Sequence, residues 1–407
     1  MQDPVGEALN AEQPLAALWS GIGALALSVF ALVMAEFLPP SVLTPMAADL
    51  SVSIGAAGQA VTATAMVGAL AALLVPVVTR RWDRKTILLA LLAALCVSNV
   101  LTATSSTLWS LLTARLLLGV ALGGFWSMVA ATAMRIVPMS VLGKAMAVVF
   151  TGVTMATVLA APVGAWVGDL LGWRAAFWLA GGVGITALLG VWITLPRLPA
   201  RDGIDLAGLL QVAQRPQVQW ALAGVLLVIS GHFAAFTYIR PVLEQVSRLD
   251  VAAISITLLV FGIAGFGGNL VGGLLSGRDP RLSVVGGAVA MAGAMLVVVL
   301  FGTSPLVTMA AFGVWGVGFA MLPVGFQAWV AAETVDRAEL GGGLLTATFQ
   351  VAIAGGAILG GVLVDRFDVL AAPTYCAIVA LAGAGLVLRR RRIAQRTVAA
   401  KAACCPT

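Results

Sequence analysis

With 407 residues, 61% of them hydrophobic and only 10% charged, the chain is not a water-soluble globule, since soluble domains carry about 25% charged residues. Its net charge of +6 comes from lysines and arginines spread among short polar stretches, whereas a nucleic-acid binder gathers them on one face. One histidine and four cysteines (Cys96, Cys376 and the vicinal pair Cys404-Cys405) offer neither metal-ligand spacing nor a disulfide framework.

The first 18 residues hold Asp3, Glu7 and Glu12 and no Lys or Arg. They lack the basic start of a cleaved signal peptide, so the first apolar run is expected to stay as an anchor. From there hydropathy predicts twelve spans, at 19–45, 56–79, 86–105, 108–134, 145–169, 175–195, 218–242, 252–276, 282–302, 305–331, 341–364 and 371–388. With both termini cytoplasmic, 18 of the 23 basic residues fall on the inner side and four on the outer, Arg115 lying within a span. That asymmetry sets the expected orientation. The hydrophilic stretch at 196–217 reads as a cytoplasmic linker. The expected organisation is a tail at 1–18, a six-helix bundle at 19–195, the linker, a second bundle at 218–388, and a basic cytoplasmic tail at 389–407.

A single offset relates the two halves. Adding 196 takes Phe37 to Phe233, Pro45 to Pro241, Asp83 to Asp279, Lys85 to Arg281, Gly164 to Gly360 and Asp169 to Asp365. A shared shift through three spans argues for a duplicated six-helix unit, the way one large class of transporters is built. The fold class expected is therefore all-α, with twelve transmembrane helices in two pseudo-symmetric six-helix bundles. The same shift carries Glu36 onto His232, the only histidine.

The first span holds Glu36 beside Pro39, Pro40 and Pro45. A charge at bilayer depth costs roughly 2.5–3.5 kcal/mol on insertion scales, which makes an intramembrane acid a functional candidate. Each proline removes a backbone donor and loosens the helix around it. Arg115 in the fourth span needs a carboxylate partner or water, and Glu36 is the acid inside the same half. The pair reads as a proton carrier and its modulator. Gly119 and Gly123 share a helix face that allows close approach of a neighbour, and Pro162 in the fifth span reads as a kink or hinge. Asp83 and Arg84, in the basic loop after the second span, read either as solvated charge or as a latch between inner faces. Trp126, Phe236 and Tyr238 are aromatics near midplane. Asn99, Asn269, Gln327 and Gln350 are amides in apolar spans, and buried amides need partners. A purine-like ligand suits such an inventory, with an aromatic platform and amides at its edge. No nucleophile elbow, phosphate-binding GxxxxGK[ST] loop or paired catalytic acids occur. The chain is thus read as no enzyme and without a cofactor, with its energy drawn from a gradient.

Several stretches resemble the major facilitator superfamily, and within it the drug:H+ antiporter branch with twelve spans. They are Glu36-Phe37-Leu38-Pro39 with Leu43-Thr44-Pro45-Met46, Arg115 to Gly124, Ala161-Pro162, Gly172-Trp173-Arg174 with Phe177-Trp178, and Thr237-Tyr238-Ile239-Arg240-Pro241. Leu122 to Met128, Met134 to Pro138, Phe236 to Val242 and Leu322-Pro323-Val324-Gly325 look most like the bacterial purine ribonucleoside efflux pumps. The resemblance implies a monomeric, multi-pass inner-membrane protein that exports a small polar solute in exchange for protons by rocking two bundles in the bilayer. Glu36 and Arg115 would couple the proton. Trp126, His232, Phe236, Tyr238 and Gln327 would line the cavity, and Pro39, Pro45, Pro162, Asp83 and Arg84 would serve gating. Sugar or drug efflux on the same machinery is the alternative, followed by a membrane sensor that binds solute without moving it.

Overall fold

The computed structural model describes residues 15–138, 141–199 and 206–404, so most of the expected N-terminal tail, including its three acids, and part of the linker lie outside the described residues. Among the described residues fifteen α-helices follow one another: α1 Leu15–Ser41, α2 Leu43–Asp49, α3 Ile54–Val78, α4 Arg84–Ala103, α5 Leu108–Ile136, α6 Leu142–Leu171, α7 Trp173–Thr194, α8 Leu206–Ala213, α9 Pro216–Thr237, α10 Ile239–Gln245, α11 Val251–Ser276, α12 Pro280–Phe301, α13 Pro305–Glu333, α14 Ala338–Arg366 and α15 Ala371–Cys404. A 3-10 turn, Val335–Arg337, precedes α14, and no strand occurs among the described residues. Twelve of these helices are long and apolar enough to cross a membrane. Their apolar spans start and stop within a few residues of the hydropathy boundaries, while α15 itself runs on as helix to Cys404, through most of the expected basic tail.

Local chemistry explains the ends. Each helix start leaves backbone N–H groups without a partner, and short polar side chains accept from them here. Ser53 accepts from Ala56 N at 3.0 Å, Asp83 from Thr86 N at 3.1 Å, Asp250 from Ala253 N at 2.8 Å and Asp279 from Arg281 N at 3.0 Å. Thr107 and Ser110 form a reciprocal capping box on α5. Proline opens α9, α12 and α13, where a missing N–H is harmless. Gly172, at φ 83°, makes the turn from α6 to α7 in a conformation that glycine adopts freely.

The chain divides into two compact units, Met1–Ile204 and Asp205–Thr407. The boundary falls inside the 196–217 stretch. In the first unit α1 packs on α6 and α7, α3 on α5, and α4 on α5 and α7. The second unit repeats every one of those pairings, with α9 on α14 and α15, α11 on α13, and α12 on α13 and α15. Val42 interrupts the first span between α1 and α2, and Tyr238 interrupts the seventh between α9 and α10. These two breaks are 196 positions apart, the offset read from the sequence. Gly164 abuts Leu38 and Ser41 on α1, while Gly360 abuts Ala234 and Tyr238 at the end of α9. Both glycines, again 196 apart, let a fifth helix of six close onto the broken first one.

Candidate functional site

In the first unit the polar centre is built around a proline. A helical residue donates its N–H to the carbonyl four positions back. Pro39 has no N–H, so the carbonyl of Ala35 has no donor at position 39 within its own helix. Arg115, on α5, fills that vacancy: its Nη1 donates to Ala35 O at 3.0 Å. Arg115 is 1% exposed, and its guanidinium lies 4.6 Å from the centre of the Phe177 ring on α7. A charge-assisted hydrogen bond contributes roughly 1.5–3 kcal/mol and a desolvated cation–π contact about 2 kcal/mol. Together they offset the roughly 2.5–3.5 kcal/mol that a buried arginine costs in a membrane. The Nη1 bond goes to a backbone carbonyl, and Nε and Nη2 of Arg115 make no hydrogen bond.

Glu36 is buried one residue beyond that carbonyl. Past it, Ser41 Oγ donates to Leu38 O at 2.7 Å and Val42 N to Pro39 O at 3.2 Å, closing α1 before the break. Pro45 lies in the first turn of α2, after the break. Pro162 is buried inside α6, which is continuous through it. Asp83 caps its own helix α4, and the backbone N–H of Arg84 donates to Leu198 O at 2.9 Å, holding the start of the inter-unit stretch against α4. Trp126 is half-buried and packs on Phe150 of α6, ring centres 6.1 Å apart. It lies eleven positions after Arg115 on α5, about 16 Å along that helix. Asn99 is fully buried on α4, and neither atom of its amide is hydrogen-bonded.

In the second unit the polar centre is His232 on α9. The ring is fully buried, and its Nδ1 accepts from Trp315 Nε1 on α13 at 3.1 Å. Phe319 stacks on it at 3.7 Å and 7°, and Phe236 at 5.3 Å and 17°. Phe233 meets it edge-on at 4.9 Å, and Phe261 of α11 lies 6.3 Å away. Of the residues expected to line the cavity, His232 and Phe236 come together. Tyr238 does not present a free hydroxyl donor: its OH donates to Ala357 O on α14 at 2.9 Å, so this tyrosine ties down the joint between α9 and α10. Gln327 stands apart and exposed, twelve positions after Trp315 on α13 and about 18 Å along that helix.

Trp315, Phe319 and Phe261 were absent from the sequence-based cavity set. The i, i+4 spacing of Trp315 and Phe319, matching that of His232 and Phe236, is the signal that would have found them.

The model of the Major Facilitator Superfamily matches residues 25–340. The chain belongs to the major facilitator superfamily. It is a multi-pass membrane transporter of that superfamily, and the twelve apolar helices agree with that assignment. It is 35% identical over 370 residues to the purine ribonucleoside efflux pump NepI of Salmonella paratyphi C (strain RKS4594), covering 91% of this chain and 93% of that protein. Among solved structures, a bacterial homolog of the human lysosomal transporter Spinster, in an inward-facing and occupied conformation, superposes with a TM-score of 0.73. That comparison has 16% identity and covers 91% of this chain and 96% of the other. The human organic anion transporter MFSD10 (TETRAN) gives a TM-score of 0.66 at 16% identity, over 92% of this chain and all of the other. These two likenesses establish the superfamily fold.

Proposed function

We propose that this superfamily member is a proton-coupled antiporter that exports purine ribonucleosides such as inosine and guanosine, working as a monomer in the bacterial inner membrane with both termini cytoplasmic. The observation that carries the substrate class is the 35% identity to a purine ribonucleoside efflux pump across nine-tenths of both chains. The two six-helix bundles, 19–195 and 218–388, are the moving bodies of this scheme, joined by the linker at 196–217.

Proton coupling rests on Glu36. It is buried within α1, a helix that prolines weaken and a neighbour's arginine re-ties. Protonation changes that group from charged to neutral. A charge at membrane depth costs roughly 2.5–3.5 kcal/mol, and 1.4 kcal/mol is a tenfold change in an equilibrium, so one proton can bias two conformers by about a hundredfold. Nucleoside and proton use the carrier in turn, so the gradient drives efflux.

Proteoliposomes with an imposed pH gradient test this reading. Wild-type protein is expected to accumulate labelled inosine against its concentration gradient, and Glu36→Gln is expected to lose that accumulation. Uphill inosine movement by Glu36→Gln at the wild-type rate would remove Glu36 from the scheme. An absence of inosine movement in wild type, with sugars or drugs moved instead, would replace the substrate class.

A further inference from the structure

The C-terminal unit contains a buried donor with nothing to donate to. His232 Nε2 has no hydrogen-bond partner, and the ring is fully buried. Its other nitrogen settles where the proton is. An indole N–H only donates, so Nδ1, which faces Trp315 Nε1 at 3.1 Å, holds a lone pair. The neutral ring then carries its hydrogen on Nε2. The alternative tautomer and the imidazolium would both point Nδ1–H at the indole N–H.

The surroundings hold that choice in place. Phe319 stacked at 3.7 Å and Phe236 at 5.3 Å fix the plane of the ring, and Phe233 and Trp315 meet it at steep angles. Every ring in contact with it is aromatic and uncharged. On the neighbouring helix α15, Cys376 lies against Gly231, and Tyr375 OH lies 3.5 Å from Ser230 Oγ, so its titratable groups meet the residues before His232. An N–H left unsatisfied in such a place costs roughly 1–3 kcal/mol. A buried polar group left unsatisfied calls for a specific explanation.

The two units also share this construction. In the first, Arg115 of the fourth span donates to Ala35 of the first. In the second, Trp315 of the tenth donates to His232 of the seventh. Ala35 shifted by 196 is Gly231, the neighbour of His232.

We infer that Trp315 is a positioning residue that fixes His232 as its Nε2–H tautomer, and that this N–H is the donor that recognises a hydrogen-bond acceptor on the edge of a purine base. The inference rests on the nucleoside reading above. Phe236 and Phe261 close on each other beside the imidazole, 5.6 Å apart and tilted by 34°, and such aromatic surfaces suit contact with a planar heteroaromatic ring; hypoxanthine and guanine both carry acceptor nitrogens and a carbonyl oxygen on their rims.

The chain has a single histidine, so imidazole 15N labelling of the full-length protein gives signals from His232 alone. The expected spectrum at neutral pH shows Nδ1 unprotonated and Nε2 protonated, and added inosine is expected to shift Nε2 most. Trp315→Phe is expected to mix the tautomers and to weaken inosine binding about tenfold. Glutamine can place an amide N–H near the Nε2 position, so His232→Gln is expected to stay within about threefold of wild type. His232→Asn, whose amide reaches only the Nδ1 position, is expected to lose about tenfold, the effect of about 1.4 kcal/mol. A protonated Nδ1 in wild type overturns the tautomer assignment. Inosine that is bound and transported while Nε2 stays unmoved overturns the recognition role and leaves the nucleoside reading intact. Inosine that is neither bound nor transported overturns the nucleoside reading and the recognition role with it, while the label still reports whether Trp315 sets the tautomer. The glutamine and asparagine pair decides the donor's role even where Trp315→Phe does not fold.

Discussion

Arg115 donates to the carbonyl of Ala35, the one from which Pro39 withholds a helical donor. The arginine and the proline are thus two halves of one arrangement, and the consequence is measurable. Pro39→Ala supplies the missing N–H and makes the arginine's bond redundant. Arg115→Gln is therefore expected to be less damaging on the Pro39→Ala background than on wild type. The double-mutant coupling should be about 1.5–3 kcal/mol, the scale of one hydrogen bond to a charged group. Thermal unfolding of the four purified proteins in one detergent reads it, and additive losses would show that the two residues act separately.

Close approach of α5 to α3 makes a second test. A Cβ on Gly123 would overlap the Gly68 carbonyl and stand 2.9 Å from Ala72 N, both of them backbone atoms on α3. Backbone cannot swing aside as a side chain would, and overpacking of this kind costs about 1–3 kcal/mol. Gly123→Ala is expected to lower the melting temperature. Gly182, on α7, has nothing within 4 Å of its would-be Cβ, and Ala there gains about 0.8–1 kcal/mol of helix propensity. Gly182→Ala is expected to match or exceed wild type in the same assay, and a loss as large as that of Gly123→Ala would sink the packing argument.

These contacts also show what the sequence could and could not reveal. Span positions and the duplication were legible because both rest on composition and spacing. The break at Val42 and its counterpart at Tyr238 follow the same offset as the residue matches. The partner of Arg115 was harder to see, because a carbonyl oxygen has no letter of its own. Only Pro39, four residues downstream, marks Ala35 as the carbonyl in need of a donor. The nest around His232 was missed for a different reason: aromatics in an apolar span look alike whether they face lipid or a neighbour. Phe266 is exposed on α11 while Phe261, five residues earlier, is buried beside the histidine. Tyr238 was singled out as a midplane aromatic and Gln327 as an amide in an apolar span. The structure spends the first one's O–H on Ala357 and leaves the second exposed.

Asp49 ends α2 and holds it to α7. Its Oδ2 lies 2.7 Å from Arg174 Nη1 and accepts from Trp173 Nε1 at 3.2 Å, while Arg174 Nη2 donates to Ser105 O at 2.8 Å. Both charged side chains are more than a third exposed, so solvent screens the pair and its ionic part contributes under about 1 kcal/mol. Asp49→Asn keeps an acceptor for the indole and is expected to cost little. Asp49→Ala removes the acceptor for both partners and is expected to cost more. Unfolding at 0.1 and 1 M salt separates the contributions. The Asn variant should be indifferent to salt relative to wild type's small loss, and equal losses for Asn and Ala would mean that the charge alone matters.

At one end of the second unit, Arg215 grips Asp336 with two hydrogen bonds, Nη1 to Oδ1 at 2.7 Å and Nη2 to Oδ2 at 2.6 Å. Those bonds first, and the guanidinium's charge with them, hold the Asp336 carboxyl down at about 2, against an ordinary value of 3.8. A carboxyl with a depressed folded value stabilises the fold above its unfolded value and loses that contribution as pH falls through the folded one. The contribution is then complete above about pH 5 and fades between 3.8 and about 2. Asp336→Asn is expected to melt slightly below wild type by the same margin at pH 5, 6, 7 and 8, with the margin narrowing by about pH 3. Any pH dependence of transport between 5 and 8 should survive Asp336→Asn unchanged, because this pair does not titrate there. A melting margin that changes across pH 5 to 8 would mean that Asp336 titrates with a group other than Arg215.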